Sequence, residues 1–209
     1  IKSNASTALI IFFTSSILIF ISYFPFKLLL RFWAFSVAFF MVLIFIILPF
    51  SNNNRLETWR GRTIKYIKSD VDWQQAQANK CMCSVGLFGK PGSGNGDGIP
   101  NADSDFIYAF AICEYGLIMG LFILCLYLLF FWRILLIARR IKSQFPYLVV
   151  LGLGTLLLSQ ALITMGVNLS LLPNTGQTLP LMSRGGSSIL IMSLSIGIIL
   201  NISSVAYEK

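Results

Sequence analysis

Residues 115–132 read YGLIMGLFILCLYLLFFW, eighteen uncharged positions between Glu114 and Arg133. A bilayer core about 30 Å thick takes roughly 20 apolar residues to cross as a helix, so this stretch decides the fold class. Uncharged runs of similar or greater length cover 3–26, 32–54, 143–183 and 185–207. None alternates apolar and polar residues as barrel strands do. With 56% hydrophobic and 11% charged residues, the composition lies in the membrane class. The expectation is an all-α membrane protein, a polytopic helical bundle of five transmembrane helices. The spans fall at about 7–23, 28–50, 106–132, 147–171 and 189–205, in a single membrane domain over 1–209 with one large external loop, 51–105. The chain starts at Ile1 without an initiator Met or a signal-peptide pattern, and reads as the C-terminal part of a longer membrane protein.

The polar chemistry is concentrated in the long loop. Of eight acidic residues, seven (Glu57, Asp70, Asp72, Asp97, Asp103, Asp105 and Glu114) fall between 57 and 114. Arg55 to Lys68 places Leu56, Trp59, Thr63, Ile64 and Ile67 at helical spacing among five basic residues, the pattern of a helix with a solvated basic face or, as Trp59 on its apolar side favours, one lying in the headgroup layer. A second short helix is expected over Val71–Ser84. The six glycines of Gly86–Gly98 read as a mobile or tightly turning loop. They could cradle phosphate through backbone N–H groups, although no P-loop pattern is present.

The net charge of +8 suits an anionic partner such as a phospholipid or a lipid phosphate, and membrane context argues against nucleic acid. The basic residues divide seven against nine between the two sides, so their count alone does not orient the chain. The dense cluster Arg133, Arg139, Arg140 and Lys142 abuts a span end, which places that side in the cytoplasm and the long loop outside. The four cysteines, with no histidine in the chain, read as small packing residues and not as a metal site.

The stretch Ile99–Tyr108, IPNADSDFIY, closes the loop and opens a span. Asp105 is the leading candidate for acid–base work, at the first turn of a helix with Ser104 as N-cap, where partial positive charge attracts a carboxylate. A plain helix-capping role fits the same spacing, and Asp103 rivals it for either task. Glu114, deeper in the same span, is either a structural hydrogen-bond partner or a group facing a wet cavity. Arg184 with Gly185 and Gly186 opens the last span as a possible anion site.

Several stretches resemble the SEDS family (shape, elongation, division and sporulation), polytopic glycosyltransferases that polymerise peptidoglycan. They are 5–9 ASTAL, 58–62 TWRGR, 86–90 GLFGK, 104–109 SDFIYA, 114–117 EYGL and, most specifically, 172–188 LPNTGQTLPLMSRGGSS. They cover most of the chain in order and look more like the family's division branch than its elongation branch. The resemblance implies a ten-helix fold of which this chain supplies the second half, in the bacterial inner (plasma) membrane with its site toward the periplasm.

It further implies that Asp105 acts as general base on lipid II, the undecaprenyl-pyrophosphate-linked disaccharide peptide. A class B penicillin-binding protein would be the partner, in contact with membrane lipids. The expected pyrophosphate-binding residues are Arg62, Lys80, Lys90, Arg184, Gly185 and Gly186, with Glu114, Trp59 and Gln75 as structural or cavity residues. Asp105 is expected to share a cavity with Arg62 or Lys80. The resemblance leaves room for a divalent cation, Mg or Mn, that no ligand cluster in the sequence requires. A lipid II transporter and a non-catalytic division scaffold are the alternatives. Cys113-Glu114 stands where the family usually has two glutamates, and as a fragment the chain is expected to lack half of the cavity.

Overall fold

The computed structural model describes residues 5–22, 31, 73–89, 98–99, 101–172 and 174–207. The chain packs as two compact units, one of residues 1–14 with 72–209 and the other of residues 15–71. The expected span 28–50, the headgroup helix 55–68 and the site candidates Trp59, Arg62 and Lys90 all lie outside the described residues, apart from Arg31. Every regular element among the described residues is a helix: α1 Ala5–Ile21, α2 Trp73–Ser84, α3 Ile107–Tyr115, α4 Leu117–Arg140, α5 Gln144–Asn168 and α6 Gly186–Tyr207.

Among the described residues three helices are long and apolar enough to cross a membrane: α4, α5 and α6. Their 24, 25 and 22 residues give lengths of about 36, 37 and 33 Å at about 1.5 Å per residue. Each exceeds the hydrocarbon thickness. Leu121, Phe122, Leu129, Leu190, Ile191 and Leu194 are exposed, as lipid-facing residues are. The all-α membrane bundle is therefore what the chain forms. Pro146 sits in the first turn of α5, where its missing N–H leaves no bond unmade.

Where one span was read over 106–132, two helices meet at Gly116. That residue has φ +87° and ψ 176°, a conformation in which side chains are strained. The stretch 86–89 fills the break. Leu87 O accepts the amide of Ile118 at 3.3 Å, and a methyl on Gly116 would stand 2.4 Å from both Gly89 N and Leu87 O. The glycine stretch, read as a mobile or tightly turning loop, is at its Gly86-Leu-Phe-Gly start packed on a broken helix. Two backbones can touch there because both residues lack Cβ.

α3 is buried on two faces. Tyr108, Ala111 and Ile112 join Ile123 of α4, Ala161 and Met165 of α5, and Leu179 in one cluster. Phe106, Ala109 and Cys113, at i, i+3 and i+7, pack with Ala78 of α2 and Ile99 in another. The second contact brings the Cα atoms of Cys81 and Cys113 to 5.9 Å, and the two residues are joined by a disulfide. The reading of all four cysteines as packing residues therefore fails at these two, because the touching helix faces set them at bridging distance. Cys83 and Cys125 are free and exposed.

Candidate functional site

Asp105 lies two residues before α3, in a turn over 101–106 that Asn101 enters with φ 56°. Asn101 O accepts the amides of Ser104 at 3.1 Å and Phe106 at 3.3 Å. The N-cap position belongs to Phe106, whose side chain makes no capping bond. Ser104 is not the cap that spacing indicated; its hydroxyl reaches back to Asn101 O at 3.5 Å, and its carbonyl is used by another part of the chain.

That part is the crossing segment 174–185. Ser183 Oγ donates to Ser104 O at 2.6 Å and accepts the amide of Leu179 at 2.7 Å. The amide of Arg184 donates to Asp103 O at 2.8 Å. Farther along the segment, Gln160 Nε2 donates to Thr178 O at 3.2 Å, and the Tyr127 hydroxyl donates to Pro180 O. Thr178 and Ser188 hydroxyls meet at 3.2 Å. The stretch whose sequence was most specific is thus tied to α4, α5, α6 and the Asp105 turn together.

The two rival aspartates have different surroundings. Asp103 pairs with Arg184 at 3.5 Å, both side chains largely exposed, an ion pair that contributes little in water. Asp105 is half-buried, and among the described residues no side chain pairs with its carboxylate. Its neighbour is the backbone of Gly176, where an added methyl would lie 3.7 Å from Asp105 Oδ2. Gly176 has φ +63°, and its amide donates to Asn174 Oδ1 at 3.1 Å. The left-handed φ, more than the space beside the carboxylate, favours glycine there.

Below the turn, Asn168 is buried at 0% exposure and bonds Asp105 O, Ala109 N and Thr164 O. Gln75 of α2, also buried, donates from Nε2 to Val167 O at 3.0 Å and Leu172 O at 2.9 Å. Val167 O also accepts the amide of Ser170 at 3.0 Å, so Gln75 ties the last turn of α5 to the chain that leaves it at Leu172. From the sequence, Asn168 is one polar residue within an apolar run. Its partners are 59 and 63 residues away, beyond any local pattern.

Of the expected site residues, the structure brings Arg184 beside Asp103, with Gly185 leading into α6 at Gly186. Lys80 stands apart. It lines a shallow pocket of about 230 Å³ with Gln77, Cys81, Ser84, Gly98 and Ile99, and Asp105 is not among the lining residues. The cause is the helix period: positions 77, 80, 81 and 84 share one face of α2, whereas the buried Gln75 and Ala78 occupy another. Glu114 is buried at the foot of α3, where its carbonyl lies against Gly89. An open groove of about 440 Å³ runs along one face of α6, from Ser193 to Ile202, with no titratable group among its lining residues. Among the described residues no three His, Cys, Asp or Glu side chains gather to hold a metal.

A family model described as "Cell cycle protein", FtsW/RodA/SpoVE, matches residues 1–208. The chain belongs to the FtsW/RodA/SpoVE family. Its curated relatives include proteins named "Probable peptidoglycan glycosyltransferase FtsW". The one from Enterococcus hirae is 39% identical over 136 residues, 63% of this chain and 34% of that relative. The one from Caulobacter vibrioides is 37% identical over 147 residues, 67% of this chain and 37% of the relative. The one from Nitrosomonas europaea is 43% identical over 107 residues, 50% and 28% of the two chains. This FtsW/RodA/SpoVE chain spans about a third of the length of the first two of these relatives.

Proposed function

We propose that, within a full-length FtsW/RodA/SpoVE polypeptide, this chain forms part of a peptidoglycan glycosyltransferase that polymerises lipid II at the outer face of the membrane during cell division. The observation that carries the reading is the contrast between two aspartates two residues apart. Asp103 faces Arg184 at the surface, while Asp105 is held by its backbone with its carboxylate unpaired among the described residues. A general base must be fixed in place and free to take a proton.

The chemistry is an inverting displacement. The 4-hydroxyl oxygen of one lipid-linked sugar attacks the anomeric carbon of another. A new C–O bond forms as the bond to pyrophosphate breaks, and the leaving group departs with the electron pair. Asp105 takes the hydroxyl proton. Charge developing on the pyrophosphate needs donors or cations. Arg184 is the described cation adjoining the turn, and the exposed amides of the Gly185-Gly186 helix start lie next to it. Lys80, and Arg62 and Lys90 outside the described residues, are further candidates from the external loop. A divalent cation, Mg or Mn, finds no ready ligand set among the described side chains, so no step is assigned to it.

The basic cluster at the end of α4 supports an outward-facing loop, and a disulfide between α2 and α3 fits an oxidising compartment on that side. A class B penicillin-binding protein is the expected partner. The test is polymerisation of lipid II by the full-length polypeptide with that partner present. Asp105→Asn should lower the rate by about 100- to 10,000-fold, the range for loss of a general base. An unchanged rate overturns the assignment, and outward movement of labelled lipid II without polymerisation would point to transport.

A further inference from the structure

The turn that carries the proposed base lacks a cap of its own. α3 begins behind Phe106, which makes no side-chain cap, and the first amides of a helix need acceptors from outside it. Water is poorly placed to supply them here, because Phe106 and Ala109 are both at 0% exposure. The acceptor comes from α5. The amide of Ala109, third residue of α3, donates to Asn168 Oδ1 at 3.0 Å. From the other end of the same carboxamide, Nδ2 donates to Asp105 O at 2.8 Å and to Thr164 O at 2.8 Å. Two carbonyls on one side and one N–H on the other leave a single orientation of the amide that satisfies all three. One planar group therefore joins the Asp105 carbonyl, the start of α3 and the last turn of α5.

We infer that Asn168 is a positioning residue for Asp105: it caps α3 from a neighbouring helix and fixes the peptide from which the base projects, without itself touching substrate. The inference rests on the reading of Asp105 as base. Its chemistry is selective. Aspartate has nearly the same shape and keeps an acceptor for Ala109, but as a carboxylate it turns an oxygen toward two carbonyls. Leucine fills the volume and makes none of the three bonds. Ser183, which grips Ser104 O from the opposite segment at 2.6 Å, cannot replace Asn168, because it holds the residue before Asp105 and leaves the Ala109 amide without a partner.

The experiment compares Asn168→Asp and Asn168→Leu with the parent and with Asp105→Asn, each in the full-length polypeptide with its transpeptidase partner. Turnover is expressed per folded molecule, and amide hydrogen exchange is read at Ala109. Misplacing a catalytic group by about 1 Å costs on the order of 100-fold. Asn168→Asp is therefore expected to lose about 100-fold in kcat with KM for lipid II within about twofold, a split that simple loss of fold does not produce. In Asn168→Leu the Ala109 amide should exchange faster while amides in the middle of α4 keep their protection.

The inference is overturned if Asn168→Asp turns over within about threefold of the parent while Asp105→Asn is inactive. It is equally overturned if the only change is less folded protein, or if neither Asn168 variant folds, since Asn168 is then purely structural. An Asp105→Asn protein that polymerises at the parental rate removes the reading of the base itself, and the two failures are told apart by that reference.

Discussion

At the scale of single residues, two polar side chains decide more than the charged ones. Asp103 and Arg184 form the ion pair on the surface of the turn, yet both are exposed, and such pairs contribute little. Asp103→Asn is expected to leave thermal stability in detergent nearly unchanged and to lower polymerisation by no more than a few-fold, against the large loss at Asp105. Equal losses at the two positions would sink the distinction drawn between them. Gln75 makes the opposite case. Its carboxamide serves two carbonyls at the end of α5 from a fully packed position. Gln75→Leu removes both bonds while Val167 O keeps the Ser170 amide, and should cost about 1 to 3 kcal/mol, read as a lower unfolding midpoint. Asp105 was legible because its neighbours Ser104, Phe106 and Ile107 match a known pattern. Asn168 was not, because a buried amide serving partners some 60 residues away leaves no trace in spacing or periodicity.

At the scale of elements, the least legible feature was the break between α3 and α4. The run 115–132 is uniformly apolar, and helix periodicity continues across Gly116, which by itself reads only as a small residue for close packing. What breaks the helix is a second chain segment. The 86–89 stretch needs room for its own backbone, and Leu87 O takes the Ile118 amide that the break leaves without a helical acceptor. Gly116→Ala would combine a strained φ of +87° with a Cβ 2.4 Å from Gly89 N. The strain alone is of order 1–3 kcal/mol, and the clash adds to it, so folded yield should fall sharply. A Gly116→Ala protein with parental stability would mean that the break is not fixed by this contact.

The disulfide was missed for a related reason. Cys81 and Cys113 are 32 residues apart, and only the docking of α2 on α3 brings them together. Closing a loop of that length stabilises by about 3–4 kcal/mol in the chain-entropy model. Peptide mapping without reductant should recover the two cysteines in one linked fragment. Cys113→Ser should lower the unfolding midpoint, whereas Cys83→Ser should not.

For the whole molecule, hydropathy established the membrane class, and α4, α5 and α6 carry it among the described residues. Orientation was harder to read, because seven basic residues against nine do not decide it. The fold adds what the count lacks. α4 runs unbroken from Leu117, beside the external-loop stretch 86–89, to Arg139 and Arg140 in its last turn, so about 36 Å of helix at about 1.5 Å per residue separates the loop from the basic cluster. The two ends therefore belong to opposite faces, and in the proposed topology the cluster, with Arg133 and Lys142 nearby, lies on the cytoplasmic side. Cys83, exposed on α2, becomes a reporter for the other face. In a Cys125→Ser background of the full-length polypeptide, a membrane-impermeant maleimide should label Cys83 in intact spheroplasts. A cysteine placed at the far end of α4, Arg139→Cys in a Cys83→Ser and Cys125→Ser background, should react only after the membrane is opened. The reverse order of labelling would put the Asp105 turn in the cytoplasm. There lipid II polymerisation could not feed an external wall, and the proposed function would fall with the topology.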